Sequence, residues 1–251
     1  MRSSDIPRRA VLTIAGSDSG GEAGMQADLQ VFTALGLHGT AAVACITAQN
    51  RSRVAGIEPC TSRIVRQQIA AAFAGYSPAA AKTGMLYSPA IIRTVAQSLE
   101  SQRRIPLVVD PVLRSTSGLS LLQRQALPAL KALLPMATIV TPNLREAAIL
   151  TGQHVRSPEE MRTAARKLHD GFGCAVLVKG GHLASSTEAV DLFFDGKTEL
   201  LFTAPFRKGL HLHGTGCRLS AAITGFLANG HPLPRAVELG KQFITDWIAS
   251  R

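Results

Sequence analysis

The sequence lacks the features that mark several classes of protein. It has 4 cysteines among 251 residues, and no two have the CxxC spacing of a zinc site or a thioredoxin-like pair. Aromatic residues make up only 5% of the chain, too few for a platform that stacks single-stranded nucleic acid. No apolar run is long enough to span a bilayer, and AVLTIAG, after Arg9, is too short for the core of a signal peptide. We therefore expect a cytoplasmic protein with reduced thiols and no membrane partner.

Acidic residues are also scarce. The chain has 27 Lys and Arg against 17 Asp and Glu, a formal net charge of +10. Such a balance suggests anionic partners. The basic residues are scattered, however, and pairs such as Arg8-Arg9 and Arg103-Arg104 do not form the dense basic run of a nucleic-acid tail. We therefore expect small-molecule ligands and no nucleic acid.

Short β-branched runs alternate with longer segments of helical period along the chain. AVLTIAG predicts a buried strand, AGMQADLQVFTALG predicts a helix, and EAVDLFFDGKTELLFTAP predicts a hairpin that turns at Asp195-Gly196. This alternation indicates an α/β fold with a mostly parallel central sheet, helices on both faces and a late antiparallel hairpin. Because no linker or repeat interrupts it, we predict a single domain over residues 1–251, with residues 1–9 as a flexible N-terminal arm.

Glycine and polar residues follow the strands. The segments at these exits, in chain order, are GSDSGG, TAQN, KTGM, DPV, TPN, KGGH and HGTGC. Each alone is compatible with an ordinary turn. Ligands of open α/β sheets bind beyond the carboxyl ends of the strands, so the set of seven predicts a site at that edge.

The last exit, GTGC, precedes a predicted helix. Gly214, Thr215 and Gly216 free successive backbone N–H groups to point one way, and the helix adds its unsatisfied first-turn donors and the positive end of its dipole. This geometry suits a phosphate. The same field predicts a lowered pKa for the Cys217 thiol, although an inert cap residue is the alternative. The GxxxxGK[ST] and GxGxxG patterns are both absent.

Seven motifs in order resemble the hydroxymethylpyrimidine/phosphomethylpyrimidine kinases of thiamine biosynthesis, within the ribokinase-like superfamily. They are TIAGSDSGGEAGMQADLQVFTALG, TAQN, KTGML, LVVDPV, TPNLREA, VLVKGGH and HGTGC. The resemblance runs from about Val11 to Ile248. It implies a three-layer αβα sandwich, ATP and Mg²⁺ as cofactors, and a homodimer. It also implies phosphorylation of 4-amino-5-hydroxymethyl-2-methylpyrimidine, then of its monophosphate.

Two alternatives stay open. Pyridoxal kinases share the fold and the GTGD or GTGC turn, but those with the cysteine tend to carry a second one in a mobile lid. The segment that resembles this lid, Leu113–Leu122, contains no cysteine. A non-catalytic module that senses a vitamin precursor, or binds nucleic acid through its net charge, is the second alternative.

The resemblance also assigns roles to individual residues. For catalysis it implies Cys217 as the base and Lys179 as a phosphate-binding lysine. The anion hole would be formed by Gly214, Thr215 and Gly216. For the pyrimidine it implies close backbone approach at Gly16, a contact from Asp28 to the hydroxyl and pairing with the Gln49 amide. Met85 and Val112 would provide apolar cover. On the nucleotide side it implies Asn143 together with Lys179 and Thr215. The candidate Mg²⁺ carboxylates are Asp110 and Glu146.

Three residues depart from the family pattern. Glu22 interrupts the glycine-rich segment, where it is either a charge near the phosphate route or an acid in the first helical turn. Arg218 follows the cysteine, and Arg114 stands in the lid. If both arginines face the site, we expect them to favour the phosphorylated substrate.

Overall fold

The computed structural model describes residues 9–102, 104–115, 118–181, 188–205 and 213–251. Its strands are β1 Ala10–Asp18, β2 His38–Gln49, β3 Val54–Pro59, β4 Ala80–Thr83, β5 Leu107–Val109, β6 Ile139–Val140, β7 Ala175–Gly180, β8 Glu188–Phe194 and β9 Glu199–Pro205. Its helices are α1 Gly24–Ala34, α2 Ser62–Tyr76, α3 Pro89–Glu100, α4 Leu127–Leu133, α5 Leu144–Thr151, α6 Pro158–Phe172, α7 Thr215–Ala228 and α8 Leu233–Ala249.

The strands form one sheet in the order β3-β2-β1-β4-β5-β6-β7-β8-β9. The central pairings from β2 to β7 are parallel, whereas β3 is antiparallel to β2, and β8 and β9 are antiparallel at the other edge. The predicted mostly parallel sheet with a late hairpin is confirmed. The antiparallel edge strand β3 was not predicted.

Helices cover both faces of the sheet and give three layers. Along β1, Leu12 belongs to one apolar cluster and Val11 to the other, because successive side chains of a strand point to opposite faces. The Leu12 cluster includes buried residues of α2, α3, α4, α5 and α6. The Val11 cluster includes those of α1, α7 and α8. The predicted αβα sandwich is therefore present.

Side-chain caps set where several helices begin. Thr61, Ser88 and Ser157 precede α2, α3 and α6, and each side-chain oxygen accepts a backbone N–H from the first turn. A proline at the beginning of α3 and of α6 supports the same boundaries.

The late hairpin turns where the sequence predicts. Gly196 has φ 91°, a conformation that favours glycine, and Asp195 Oδ1 accepts the backbone N–H groups of Lys197 at 3.0 Å and Thr198 at 2.7 Å. The turn therefore joins β8 and β9 in antiparallel register.

Most of the predicted N-terminal arm, residues 1–8, lies outside the described residues. Arg9, which the prediction included, is held in place. Its guanidinium donates to the Ala228 carbonyl at 2.8 Å, and its carbonyl accepts the His38 N–H at 2.9 Å. Among the described helices, none combines the length and the apolarity that a membrane crossing needs.

Candidate active site

The candidate site lies where the parallel strands end. Because β1, β2, β4, β5, β6 and β7 run in the same direction, the segments that follow them share one edge of the sheet. An isolated bridge between Asn143 and Lys179 joins two of these segments directly. The edge thus gathers the residues that the sequence singles out.

The GTGC turn begins α7 with a glycine and leaves the helix uncapped by any side chain. Gly214 is the N-cap residue with φ 79°, and it makes no side-chain cap hydrogen bond. A Cβ atom there would lie 2.0 Å from the Glu22 carbonyl oxygen, so only glycine fits. The turn therefore packs against the loop before α1 and keeps its first-turn N–H donors for another acceptor.

A lysine stands beside this turn. A Cβ atom built on Gly216 would lie 3.2 Å from Lys179 Nζ, and the same ammonium makes an ion pair with Asp110 at 2.9 Å. Burial works to lower the pKa of Lys179, but the carboxylates of Asp110 and Glu146 outweigh it and raise that pKa. The lysine is therefore a fixed positive charge next to the anion-binding turn.

Asp110 is buried, and several hydrogen-bond donors contact its carboxylate. Besides Lys179, its oxygens accept from Ser220 Oγ at 3.1 Å and Thr141 Oγ1 at 3.4 Å. Burial works to raise the pKa of Asp110, but the ammonium groups of Lys179 and Lys82 lower it below the usual range. Asp110 is therefore a carboxylate at neutral pH.

Glu146, the other predicted metal ligand, also serves as a helix-capping residue. Its Oε2 accepts the Asn143 N–H at 2.8 Å while Asn143 Oδ1 accepts the Glu146 N–H at 3.0 Å, a capping box at the start of α5. Its Oε1 accepts the Leu113 N–H at 3.3 Å. Burial raises the pKa of Glu146 to about 7, although Lys179 opposes the shift.

Three of the five predicted pyrimidine-binding residues lie together. Met85 and Val112 belong to one apolar cluster with Cys45 and Leu121. A Cβ atom on Gly16 would lie 2.9 Å from Cys45 Sγ and 3.4 Å from Met85 Sδ. The cluster forms an apolar floor that a side chain at Gly16 would obstruct.

Gln49, the fourth of these residues, has a partner that sequence reasoning missed. Its Nε2 lies 2.7 Å from Nε2 of His213, the residue just before the glycine turn. His213 also lines a cavity of about 180 Å³, together with Asp18, Gly20, Glu22, Asn50 and Arg51. Gln49 therefore adjoins an open space beside the turn.

Asp28, the fifth, has no exposed surface. Both of its oxygens lie 2.8 Å from Lys82 Nζ, and Oδ2 also accepts from Thr13 Oγ1 at 2.6 Å. Both oxygens are thus already bonded within the protein, and the predicted contact from Asp28 to the substrate hydroxyl stays a prediction. Lys82 was not singled out as a functional residue.

The predicted lowering of the Cys217 pKa is wrong. Burial raises the pKa of this partly exposed thiol to about 11, although the Lys82 ammonium opposes the shift. The Gly24 N–H donates to the sulfur and opposes it as well. Desolvation therefore outweighs both of these effects, and the cysteine is a neutral thiol at pH 7.

The structure shows the contacts of the residues that depart from the family pattern, which the sequence left open. Glu22 precedes the N-cap Ala23 and pairs with Arg51, so it is not an acid of the first helical turn. Arg114 donates to the Gly118 carbonyl within its own loop at 3.3 Å. Residues 116 and 117 of that loop lie outside the described ranges.

Arg218 is held by side chains of α1 and α8. Its guanidinium carbon lies 4.6 Å from the ring centre of Trp247 in α8, and its Nη2 donates to Gln30 Oε1 at 2.9 Å. Arg218 is 6% exposed. Its Nη2 also donates to the Glu22 carbonyl at 3.4 Å, and the expectation that Arg114 and Arg218 favour a phosphorylated substrate if both face the site stays a prediction.

Comparisons with known proteins identify the family. The sequence model described as Phosphomethylpyrimidine kinase matches residues 18–251. A hydroxymethylpyrimidine/phosphomethylpyrimidine kinase of Rhizobium meliloti is 46% identical over 95% of this chain and 90% of its own length. The thiamine biosynthesis bifunctional protein ThiED of Geobacter sulfurreducens is 43% identical over 98% of this chain. This chain spans about half (50%) of the length of that bifunctional relative.

Solved structures agree on the fold. A phosphomethylpyrimidine kinase of Clostridium difficile is 38% identical with a TM-score of 0.85, covering 96% of this chain and 100% of that one. A pyridoxal kinase of Staphylococcus aureus in complex with AMP-PCP and pyridoxal is 35% identical with a TM-score of 0.86, covering 94% and 86%. The predicted ribokinase-like fold is confirmed, and this chain belongs to the phosphomethylpyrimidine kinase family.

Proposed function

We propose that this protein transfers the γ-phosphoryl group of ATP to the hydroxymethyl group of 4-amino-5-hydroxymethyl-2-methylpyrimidine, and a second one to the resulting monophosphate. Family membership supports the reaction class. The observation that carries the proposal is the uncapped turn before α7, with the Lys179 ammonium beside Gly216 and an apolar floor near the same strand ends. A phosphate on the turn and a flat heterocycle on the floor are the ligands that these surfaces suit.

The turn supplies electrostatic stabilisation. Backbone N–H groups of Gly214, Thr215 and Gly216 bind the oxygens of the transferred phosphoryl group, and Lys179 adds a positive charge. Phosphoryl transfer passes through a loose transition state, so positioning and charge neutralisation are the main contributions of the protein. These donors are already in place before the ligand arrives.

Cys217 acts on the acceptor alcohol. In its thiolate form it accepts a hydrogen bond from the hydroxyl and takes the proton late in the transfer. The O–H bond breaks as the new O–P bond forms and the bond from phosphorus to ADP breaks. The thiolate is the minor form in the ligand-free protein, because burial holds the pKa at about 11.

Gln49 and the apolar floor bind the pyrimidine. The carboxamide offers a donor and an acceptor side by side, which matches a ring nitrogen next to an exocyclic amine. Its present partner, His213, leaves the amide with further hydrogen-bonding capacity. Gly16, Met85 and Val112 cover the ring, since a methylated pyrimidine has an apolar face.

Asp110 and Glu146 fit a magnesium ion that keeps most of its waters. Among the described residues each Glu146 oxygen accepts one hydrogen bond, and Asp110 Oδ2 accepts one from Ser220, so both carboxyl groups retain lone pairs for a further contact. Mg²⁺ keeps several waters and is usually held by one or two carboxylates together with substrate phosphates, so two carboxyl groups are enough to hold it. When bound, the ion would neutralise charge on the phosphates.

Pyridoxal kinase is the second candidate. It is favoured by the structural similarity to the Staphylococcus aureus enzyme. The absence of a cysteine in Leu113–Leu122 argues against it. Homodimer formation and a cytoplasmic location stay predictions.

Measurement of ADP release tests the proposal. With hydroxymethylpyrimidine or its monophosphate the protein should release ADP at least about tenfold faster than with pyridoxal or with no acceptor. Cys217→Ala should lower kcat by about 100-fold or more and leave ATP affinity within about threefold, because the thiol acts on the alcohol. Release with pyridoxal alone would favour the second candidate, and no release with any acceptor would refute both.

A further inference from the structure

The buried pair of Lys82 and Asp28 has no place in the mechanism above. Lys82 Nζ lies 2.8 Å from both Asp28 oxygens, and neither side chain has any exposed surface. Thr13 Oγ1 donates to the same carboxylate at 2.6 Å. The pair is therefore fully formed and has no contact with solvent.

Stability does not explain such a pair. Removing two charges from water costs several kcal/mol each by rough estimate, and well-packed apolar residues of similar volume are often as stabilising as a buried ion pair. Lys82 lies in β4, a short central strand whose other residues are Ala80, Ala81 and Thr83. An apolar residue would suit that position, so we look for a role in the site above it.

The site above it is the cysteine turn. β4 lies between β1 and β5, and α7 packs against β4. Cys217 is the third residue of α7. A Cβ atom built on Gly84, two residues after Lys82, would lie 3.5 Å from its Nζ. The Lys82 ammonium interacts electrostatically with Cys217 and with Asp110.

Lys82 shares a face of β4 with Ala80, which belongs to the same apolar cluster as buried residues of α7. The geometry points to Lys82 as a positioning residue for Cys217, with Asp28 fixing its ammonium on the face of β4 that α7 covers, as the counter-charge of the thiolate. This inference rests on the proposed kinase function only for its kinetic consequence. Charge placed in advance at the thiolate lowers the cost of forming it inside a desolvated site. Asp28 keeps Lys82 protonated there, since burial alone would favour the neutral amine.

Other charged groups act on the same thiol. Asp28 and Asp110 disfavour the thiolate, and the Gly24 N–H at the start of α1 favours it. Lys82 provides the largest of the effects that favour the thiolate. Lys179 also faces the turn from β7 and pairs with Asp110, so its charge is largely committed there.

A pair of variants tests the inference. Asp28→Asn/Lys82→Met removes both charges and leaves neither unpaired, and Lys82→Gln is a second neutral variant that can still bond to Asp28. The rate of alkylation of Cys217 by iodoacetamide is measured at pH 9 by peptide mass mapping, with circular dichroism to verify the fold. Cys60, which is partly exposed and pairs electrostatically with Glu58 rather than Lys82, is the internal reference in the same sample.

Loss of the counter-charge should slow alkylation of Cys217 relative to Cys60 by about tenfold in Lys82→Gln, the effect of one pKa unit. The double variant should slow it by about threefold, because it also removes the Asp28 charge that disfavours the thiolate. In the kinase assay kcat should fall with it while KM for ATP stays within about twofold, and Lys82→Arg should restore both within about threefold. An unchanged ratio of Cys217 to Cys60 in whichever neutral variant folds would overturn the inference. Alkylation needs no substrate, so a protein that phosphorylates no pyrimidine yet shows the slowed alkylation would refute the proposed function alone.

Discussion

Two helices begin at the same edge of the sheet after glycine-rich turns, and the backbone N–H groups of these two turns are used in opposite ways. In the turn before α1, the Asp18 carboxylate accepts the N–H groups of Gly20 at 2.8 Å, Glu22 at 3.1 Å and Ala23 at 2.8 Å. In the turn before α7, Gly214 offers no side chain, and no side-chain cap bond is made. The chain thus supplies an anion of its own to the first glycine-rich turn, and no described side chain does so for the second.

This difference shows why glycine content alone does not locate a phosphate site. Both turns contain glycine in the left-handed region, with φ 73° at Gly21 and 79° at Gly214. Both present backbone donors and the positive end of a helix dipole. The discriminating feature is a buried carboxylate, since Asp18 is 4% exposed and already holds the donors that a phosphate would need.

Supplying the second turn with an anion of its own should have the largest effect. Thr215→Asp places a carboxylate at the first residue of α7, where it accepts the free N–H donors and repels a triphosphate. We expect kcat/KM for ATP to fall by about 100-fold or more, which corresponds to about 2.7 kcal/mol. Thr215→Asn, neutral and of the same size, should retain at least about a tenth of the wild-type value. Equal losses in the two variants would show that charge at this turn is unimportant.

Removing the anion from the first turn should affect stability more than binding. Asp18→Ala leaves three backbone donors without their charged acceptor, so the free energy of unfolding in urea should fall by about 2–4 kcal/mol. Asp18→Asn keeps one acceptor oxygen and should lose about half as much. A loss below about 1 kcal/mol for the alanine variant would mean that Asp18 does not organise this turn.

The pH dependence of Cys217 alkylation separates the helix field from desolvation. Because burial raises the pKa to about 11, the thiolate fraction grows tenfold for each pH unit below that value. Alkylation of the native protein should therefore accelerate about tenfold from pH 8 to 9 and again from 9 to 10. Buried Cys45, with a pKa of about 12, should stay unmodified. A plateau already reached at pH 8 would restore the dominance of the helix field.

The sequence predicts the fold well where the hydrophobic pattern is strong. The parallel strands are short apolar runs, and the caps at Thr61, Ser88 and Ser157 have clear signatures. The strand β3 was missed because Val54–Pro59 contains no buried residue and so carries no alternation of apolar and polar positions. Its pairing with β2 is a tertiary fact that local pattern does not encode.

The sequence predicted which edge of the sheet carries the site, but it did not predict the buried charged groups next to the site. Lys82 went unnoticed because a lysine after three alanines gives no sign of the carboxylate beneath it. Its partner Asp28 is 54 residues earlier in the chain. The sequence left the direction of Arg218 open for the same reason, because Trp247, which its guanidinium stacks on, comes from α8.

The prediction that the Cys217 pKa is lowered failed for a different reason. A helix N-terminus can be recognised from sequence, and its field favours a thiolate, but the degree of burial depends on what packs around the turn. Here burial raises the pKa of the thiol more than the Lys82 ammonium and the Gly24 N–H lower it.

The most direct measurement is a crystal structure with a non-hydrolysable ATP analogue and the aminopyrimidine alcohol both bound. We predict the terminal phosphate within hydrogen-bonding distance of the backbone N–H groups of Gly214, Thr215 and Gly216, with the alcohol oxygen next to Cys217 Sγ. A terminal phosphate bound anywhere else, the turn before α1 included, would contradict the account.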